Sequence, residues 1–268
     1  IKNIANVVHS YNIPLLVDEA HGPHLIFNKK LPICAMDAGA DICAQSTHKI
    51  TSSLTQGSLL HVKSKYIEPS RVRQVLNLLQ TTSPSYIILA SLDCTRKQLA
   101  LNGENLIDKS IELSNYARNE INKIDYLYCF GEELKNGKGF FAFDPTKITI
   151  NCRKLGISGY DLGNILSTKY HVQLEMADAY NGLAVGSFGD TKESIDSLIN
   201  ALKEISETTK GKTLKNFSLV LPKIPEQIYS PRKAFQAQKK SIPLKQSANK
   251  ISGEFLLAYP PGIPILCP

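Results

Sequence analysis

Residues 13–22 have the sequence IPLLVDEAHG, and residues 40–49 have the sequence ADICAQSTHK. In both segments a short apolar run is followed directly by a cluster of polar residues. Such runs are typical of strands that are buried on both faces of a parallel sheet. A third run, SLLHV at residues 58–62, follows the second polar cluster. These three segments predict an α/β fold.

Helical and mixed patterns surround these strands. We predict the end of an amphipathic helix at residues 1–10 and two further helices at 69–79 and 85–101. Apolar positions then recur at helical spacing over residues 105–124. The remaining predicted elements are strands at 139–144, 147–151, 172–176 and 182–186, with helices at 159–170 and 192–205. That order predicts a small α+β domain beside the first domain.

Four parts follow from these patterns. Residues 1–102 are predicted to belong to a large α/β domain, and residues 103–207 to the small α+β domain. Residues 208–229 are rich in Lys, Pro, Ser and Thr, which is typical of a linker. A further unit is predicted at residues 230–268.

The net charge of +7 is unevenly distributed along the chain. Residues 1–202 carry 20 basic and 20 acidic side chains, whereas residues 203–268 carry 11 basic and 4 acidic ones. The excess lysines lie among Pro, Ser and Gln, without the interleaved aromatic residues that stack on bases. We therefore interpret the basic segment as a solvated linker and expect no nucleic-acid partner.

Composition narrows the class of protein further. Apolar content of 43% and charged content of 21% are ordinary for a globular protein. No uninterrupted apolar run is long enough to span a bilayer, so we expect no membrane partner. The six cysteines form no C-x-x-C pair, which favours free thiols in a reducing cytoplasm over a metal site. The chain starts with Ile1, without the pattern of a signal peptide, which suggests that it begins within a longer protein.

The polar clusters that follow the first two strands carry the candidate chemistry. Asp18 follows one strand and Lys49 the next, and ligands of open α/β sheets bind at the carboxyl ends of such strands. A lysine amine can form a Schiff base with the aldehyde of pyridoxal phosphate, and a carboxylate keeps the pyridinium nitrogen protonated. Ser46 and His48 can contact the cofactor phosphate, and Ala20 is small enough to lie against the ring.

Each of these residues also has an ordinary structural explanation. An Asp after a strand is commonly a turn or helix cap, and a lone S-T-H-K is commonly a surface loop. The two clusters together favour a functional site, because both follow predicted buried strands within one strand–loop–strand unit.

Six segments in order resemble motifs of one enzyme family. VDEAHG at 17–22, QSTHK at 45–49, SLTQGSLLH at 53–61 and QTTSPSY at 80–86 resemble the cofactor-domain motifs of the Orn/Lys/Arg decarboxylases. SPRKAF at 230–235 and AYPPGIP at 258–264 resemble the carboxy-terminal domain of that family. The resemblance covers nearly the whole chain and is greatest to the compact bacterial arginine decarboxylases.

The resemblance implies a fold and a set of site residues. The expected fold is part of the large domain of pyridoxal-phosphate-dependent transferases (the aspartate aminotransferase fold), followed by a small α+β domain and the start of a C-terminal domain. The expected activity is decarboxylation of arginine, lysine or ornithine by a homodimer or higher homo-oligomer. The implied residues are Lys49 for the Schiff base, Asp18 for the pyridinium nitrogen, His21 near the phenolic oxygen, Ser46 and His48 at the phosphate, Thr82 and Ser83 approaching the cofactor site from near the subunit interface, and Glu175 facing the substrate.

Two departures from the family keep other interpretations open. The upstream half of the cofactor domain, with its phosphate loop and ring-stacking His, does not appear, and the family normally continues past YPPGIP. We therefore expect a chain that is truncated at both ends. One alternative is a non-catalytic fragment. The other is a different enzyme of the same fold, such as an aminotransferase, because an Asp and a Lys alone do not determine the reaction.

Overall fold

The computed structural model describes residues 1–136, 139–209, 223–259 and 262–268. The chain divides into two compact units, Ile1–Leu214 and Lys215–Pro268. The described helices and strands are α1 (Lys2–Ser10), β1 (Leu16–Asp18), β2 (Ile42–Gln45), α2 (Thr47–Ile50), β3 (Leu59–Val62), α3 (Pro69–Leu79), α4 (Tyr86–Ile121), β4 (Tyr128–Cys129), β5 (Lys147–Asn151), α5 (Gly159–Tyr170), β6 (Met176–Ala177), β7 (Asn181–Val185), α6 (Lys192–Thr209), α7 (Pro231–Gln236), β8 (Leu256–Ala258) and β9 (Ile263–Leu266).

The first unit begins with a three-stranded sheet in the order β1-β2-β3. β1 and β2 are parallel, with Val17 opposite Cys43, and β3 is antiparallel to β2. Because β1 and β2 run in the same direction, their carboxyl ends lie at one edge of the sheet. β3 starts at that same edge, since Leu59 pairs with Gln45. The polar clusters that follow β1 and β2 are thereby brought together.

The prediction that the first strands are buried on both faces is wrong. Leu16 is 61% exposed, and Leu59 and Leu60 are each 41% exposed. The reason is the position of these strands in the sheet: within the described residues, β1 and β3 are edge strands, and only β2 has a strand on each side. The apolar run also extends further than the strand, since Ile13 and Pro14 precede β1.

A single helix replaces the two helices predicted at 85–101 and 105–124. α4 is 36 residues long and begins at an N-cap where the Ser85 hydroxyl accepts a hydrogen bond from the amide of Ile88. Gly103 does not interrupt it, because the ring of Phe27 packs against this glycine, where an added Cβ would lie 3.2 Å from the Phe27 Cβ. The predicted domain boundary at 102/103 falls inside this helix, and the boundaries at 102, 207 and 229 stay predictions.

A four-stranded antiparallel sheet, ordered β4-β5-β7-β6, forms the second half of this unit. α4, α5 and α6 pack their apolar residues on it, and the largest buried cluster of the described residues lies between them. α5 begins with a capping box in which Ser158 and Asp161 bond each other's backbone amides, as its Ser-x-x-Asp spacing favours. The predicted bounds of α3 and α5 are confirmed.

Two of the predicted strands of this region need correction. Residues 139–144 form no strand; Phe140 and Phe143 instead cluster with Phe130, so their aromatic character reflects side-chain packing. The strand predicted at 172–176 is reduced to Met176–Ala177, because α5 ends at His171 in a left-handed conformation and the chain rejoins the sheet only at Glu175.

The second unit is small. Its elements are α7, which the side chain of Ser230 caps, and the hairpin of β8 and β9. Most of the predicted linker lies outside the described residues, as do Pro260 and Pro261 of the YPPGIP motif.

Candidate functional site

Lys49 and His21 meet at the shared edge of the three-stranded sheet. Lys49 lies in α2, directly after β2, and His21 lies in the turn after β1. The Lys49 Nζ is 3.2 Å from Nε2 of His21, although 28 positions separate the two residues. Burial, and next the positive charge of Lys49, lower the pKa of His21. A neutral imidazole can accept a hydrogen bond from the ammonium group of Lys49.

Glu175 approaches the same imidazole from the four-stranded sheet. Its Oε1 is 3.6 Å from Nε2 of His21, and its side chain is 44% exposed. The charges around His21 act in opposite directions: Lys49 and Lys147 lower its pKa, whereas Glu175 and Asp18 raise it. Two cations and two carboxylates therefore surround one partly exposed imidazole.

Asp18 ends β1 and lies opposite Ala44 in the parallel ladder. Its Oδ1 accepts a hydrogen bond of 3.0 Å from the amide of Ala20, which turns the chain away from the strand. This is the capping role expected of an Asp after a strand, and it occupies only one carboxylate oxygen. Asp18 is exposed and can also take an external partner.

Ser46 and His48 flank the start of α2. The Ser46 amide donates to the carbonyl of Ala20 at 3.2 Å, which joins the two polar clusters through the backbone. Nδ1 of His48 lies 2.8 Å from the Gly57 carbonyl. Because a carbonyl only accepts hydrogen bonds, Nδ1 carries the proton, and Nε2 donates to an anion only in the imidazolium form.

Gly57 of the SLTQGSLLH motif forms hydrogen bonds with the residues that precede Lys49 in α2. The Gly57 carbonyl also accepts hydrogen bonds from the backbone amide of His48 and from Oγ1 of Thr47. A side chain at Gly57 would clash, since an added Cβ would lie 2.6 Å from Oγ of Ser53 and 2.9 Å from the Leu54 carbonyl oxygen. This close approach of the backbone explains the glycine of the motif.

Thr82 and Ser83 lie in the exposed connection between α3 and α4. The Ser83 amide bonds the hydroxyl of Thr81, two residues earlier. The structure records no contact of Thr82 or Ser83 with Lys49 or His21 among the described residues. Their contact with the cofactor, from the region near the subunit interface, stays a prediction.

The sequence analysis missed a second group of polar residues beside the site. His24 is 1% exposed, and its Nε2 is 3.0 Å from Oδ2 of Asp144, which also binds Nζ of Lys147. Glu19 and Gln45 form another, partly buried contact, with Gln45 Nε2 2.7 Å from Oε2 of Glu19. The second histidine of HGPH was the available signal, but nothing local shows that it reaches a residue 120 positions away.

We also searched the described part of the chain for metal sites, disulfides and membrane-spanning helices. No three His, Cys, Asp or Glu side chains there are grouped so as to hold a metal ion. All six cysteines are free thiols, four of them buried. In residues 1–136, 139–209, 223–259 and 262–268 we find no helix with the length and apolarity needed to cross a membrane.

A comparison with protein families identifies the family of this chain. Residues 1–194 match the model described as "Orn/Lys/Arg decarboxylase, major domain". The chain belongs to the Orn/Lys/Arg decarboxylase family. The predicted family membership is thus confirmed, and the match runs through the predicted boundary at 102/103.

Curated members of the family are similar over the full chain. An arginine decarboxylase of Halalkalibacterium halodurans is 44% identical over 270 residues, which is 100% of this chain and 55% of that protein. An arginine decarboxylase of Bacillus subtilis is 41% identical with the same coverage. The chain therefore spans about half the length of the curated relatives that it matches.

Solved structures confirm the predicted fold class. The constitutive lysine decarboxylase of Escherichia coli superposes with a TM-score of 0.72 at 22% identity, covering 98% of this chain and 48% of that chain. An alanine–glyoxylate aminotransferase from Nostoc sp. superposes with a TM-score of 0.52 at 19% identity, covering 75% and 56%. At these identities the likeness shows the fold alone.

Proposed function

We propose that this chain carries part of the active site of a pyridoxal-phosphate-dependent decarboxylase of basic amino acids, with Lys49 as the cofactor lysine. The observation that carries the proposal is the contact of 3.2 Å between Lys49 and His21, at the sheet edge where Asp18 also lies. Membership of the Orn/Lys/Arg decarboxylase family supports the same activity.

The residues present fit this cofactor. The exposed carboxylate of Asp18 lies at the end of β1, and the hydroxyl of Ser46 and the primary amine of Lys49 follow the end of β2. Ala20 adds no bulk there. Lys49 would hold the aldehyde carbon, Asp18 the pyridinium nitrogen, and Ser46 with His48 the phosphate. When bound, pyridoxal phosphate supplies an electron sink for the pair left behind when CO₂ departs.

His21 and Lys49 have complementary parts in proton handling. A neutral His21, which its lowered pKa favours, accepts a hydrogen bond from Lys49 and keeps the lysine nitrogen oriented. The same imidazole can hold a proton when the amine gives one up. Nε2 of His21 is therefore the atom at which we place the proton during exchange with Lys49.

Glu175 is the candidate for recognising the substrate's cationic end. Its carboxylate faces His21 and is partly exposed, so a substrate in solvent can reach it. A carboxylate binds a guanidinium through paired charge-assisted hydrogen bonds and an ammonium through fewer. Arginine is our first choice of substrate, because the relatives with 41–44% identity are named arginine decarboxylases, whereas an E. coli lysine decarboxylase is 26% identical.

The intact protein is proposed to be a cytoplasmic homodimer or higher homo-oligomer. Four large apolar side chains flank the loop of Thr82 and Ser83 and are 73–83% exposed: Leu78, Leu79, Tyr86 and Ile87. Several large apolar side chains exposed within one short segment favour an interface there. Light scattering of the purified protein checks this, and a monomer at all concentrations would contradict it.

The test of the proposed function is covalent capture of the cofactor. The purified chain is mixed with pyridoxal phosphate, its absorbance is recorded, and borohydride reduction is followed by mass spectrometry of the peptides. We expect a visible band and one reduced adduct, on Lys49. Lys49→Ala should remove both, because it removes the amine that contacts His21 at the end of β2.

Lys63→Ala is the matched control. Lys63 is exposed and follows β3 at the opposite edge of the same sheet, so its loss should leave the band unchanged. Adducts spread over surface lysines would overturn the proposal and support a non-catalytic fragment. If the adduct forms, release of CO₂ from arginine supports the decarboxylase, and release of a keto acid would support an aminotransferase.

A further inference from the structure

His24 is a buried polar residue that the proposed chemistry does not use. It is 1% exposed, and its Nδ1 has no hydrogen-bond partner among the described residues. Buried polar atoms are normally satisfied, and leaving one without a partner costs free energy. Its Nε2 donates to Oδ2 of Asp144 at 3.0 Å. Among the described residues, the hydrogen bond to Asp144 is thus the one that His24 forms with its ring.

Asp144 is held from several directions. Its Oδ1 accepts hydrogen bonds from the amide and the hydroxyl of Thr146, at 3.0 and 2.7 Å. Its Oδ2 accepts from His24 and, at 2.9 Å, from Nζ of Lys147. Burial alone would raise the pKa of Asp144, but the bond from His24 and the charge of Lys147 lower it well below its ordinary value. The carboxylate is thus ionised and fixed in place.

The His24–Asp144 contact joins the turn after β1 to the four-stranded sheet, and these two parts of the fold also meet at the candidate site. His24 lies three residues after His21, in the same turn after β1, with His24 buried and His21 partly exposed. Asp144 precedes β5, which pairs with β7, and the Glu175 amide donates to the Leu183 carbonyl of β7 at 2.8 Å. The His24–Asp144 contact and the His21–Glu175 approach therefore link one turn to one sheet at two points.

We propose that His24 and Asp144 are positioning residues that hold the four-stranded sheet at the distance which places Glu175 opposite His21. Because Glu175 lies on the sheet and Lys49 beside the turn, the same contact sets the span between the Glu175 carboxylate and the Lys49 amine. Together with the proposed function, this makes the pair a determinant of the length of basic side chain that the site accepts.

A second histidine–aspartate pair, His9 and Asp41, provides a control that distinguishes an effect on the position of Glu175 from an effect on stability alone. His9 Nε2 lies 2.7 Å from Oδ2 of Asp41, whose carboxylate is also buried and also accepts a backbone amide and a hydroxyl. Asp41 precedes β2 and so lies at the opposite edge of the three-stranded sheet from Lys49. A change at His9 should affect stability but not the surroundings of His21.

The test measures how strongly Glu175 acts on His21, without cofactor. The pKa of His21 is followed by NMR of the histidine ring protons, with the signal assigned by its loss in His21→Asn. Glu175 raises the pKa of His21, so Glu175→Gln should lower it in the native background. The same substitution is then made in backgrounds that carry His24→Leu, His24→Phe, His24→Gln or His9→Leu.

We expect the fall in the pKa of His21 to disappear in the His24→Leu background, where Glu175 is no longer held opposite the imidazole. His24→Gln should restore the fall, because its amide can still donate to Asp144. His9→Leu should leave the fall intact. Should His24→Leu prevent folding, His24→Phe provides the same comparison, because its ring has nearly the shape of the imidazole but cannot donate to Asp144. An equal fall in all backgrounds would overturn the proposal.

The proposed function and this inference can fail separately. The NMR measurement needs neither cofactor nor activity, so it stands even if Lys49 forms no adduct. If the adduct does form, His24→Leu should raise KM for arginine more than it lowers kcat, and should reduce the preference for arginine over lysine. A fall in kcat alone, with KM and preference unchanged, would contradict the role in selectivity.

Discussion

The two sheets of the first unit differ in how deeply they are buried. The four-stranded sheet packs on a cluster of 18 buried apolar residues, contributed mainly by β5, α4, α5 and α6. A separate and smaller cluster of buried apolar residues packs against the three-stranded sheet, and it contains Ala35, Ala40 and Cys43. Since burial of apolar side chains supplies most folding free energy, the four-stranded sheet carries the stability of the unit. The candidate chemistry lies on the other sheet, whose polar edge is open.

The largest effect expected from this difference is on stability. Leu162 is fully buried in α5, within the larger cluster. Leu162→Ala should lower the free energy of unfolding by about 2–5 kcal/mol, because it removes apolar contacts and leaves a cavity. Urea denaturation followed by circular dichroism measures the change. A loss of less than about 1 kcal/mol would show that this cluster does not dominate the fold.

A smaller effect is expected from the charge that lies between the sheets. The folded-state pKa of Asp144 is lowered, so this group stabilises the fold above its unfolded pKa of about 3.9, and the contribution is lost as pH falls through the folded value. Asp144→Asn should therefore cost roughly 1–3 kcal/mol at pH 7. The cost should shrink below about pH 4. Urea titrations at pH 3 and pH 7 test this, and a cost independent of pH would contradict it.

Thiol reactivity can sharpen the comparison between the sheets. Burial raises the pKa of Cys43, in the three-stranded sheet, to about 12 and that of Cys129, in the four-stranded sheet, to about 11. Both are protected in the folded chain, whereas Cys94 and Cys267 are exposed and should react at once. In urea below the unfolding midpoint, Cys43 should react roughly fivefold faster than Cys129, because the sheet with the smaller core opens first.

Alkylation followed by mass spectrometry resolves the individual cysteines. Equal rates at Cys43 and Cys129 would mean that the two sheets unfold as one cooperative unit. Faster reaction at Cys129 would reverse the order of stability that we infer.

The smallest change in the free energy of unfolding is expected in β1, an edge strand of the three-stranded sheet. Leu16 is 61% exposed in β1, so Leu16→Ala should change the free energy of unfolding by no more than about 0.5 kcal/mol. It is the matched control for Leu162→Ala, since both remove the same atoms. A loss of about 2 kcal/mol at Leu16 would indicate that this face is covered in solution, for example by another subunit.

Local patterns account for the parts of the fold that were predicted well. The bounds of α3 and α5 were correct because Pro69 and the Ser158–Asp161 capping box mark helix starts within a few residues. The prediction that the polar clusters lie at the ends of β1 and β2 was also correct, since a strand and the loop that follows it are neighbours in the chain. The continuity of α4 was missed because the packing of Phe27 on Gly103, between the two predicted helices, is a contact between residues far apart in the chain.

The sequence by itself determined the α/β and α+β order of elements, the polar edge that contains Asp18 and Lys49, and the family motifs. These features depend on residues close together in the chain, where periodicity and capping chemistry are sufficient. Only the tertiary structure decided that Glu175 faces His21, that His24 bonds Asp144 across 120 positions, and that β1 lies at an exposed edge. Such contacts depend on how α4 and the sheets pack, because non-local pairs form only where the whole fold offsets the entropy of closing the intervening chain.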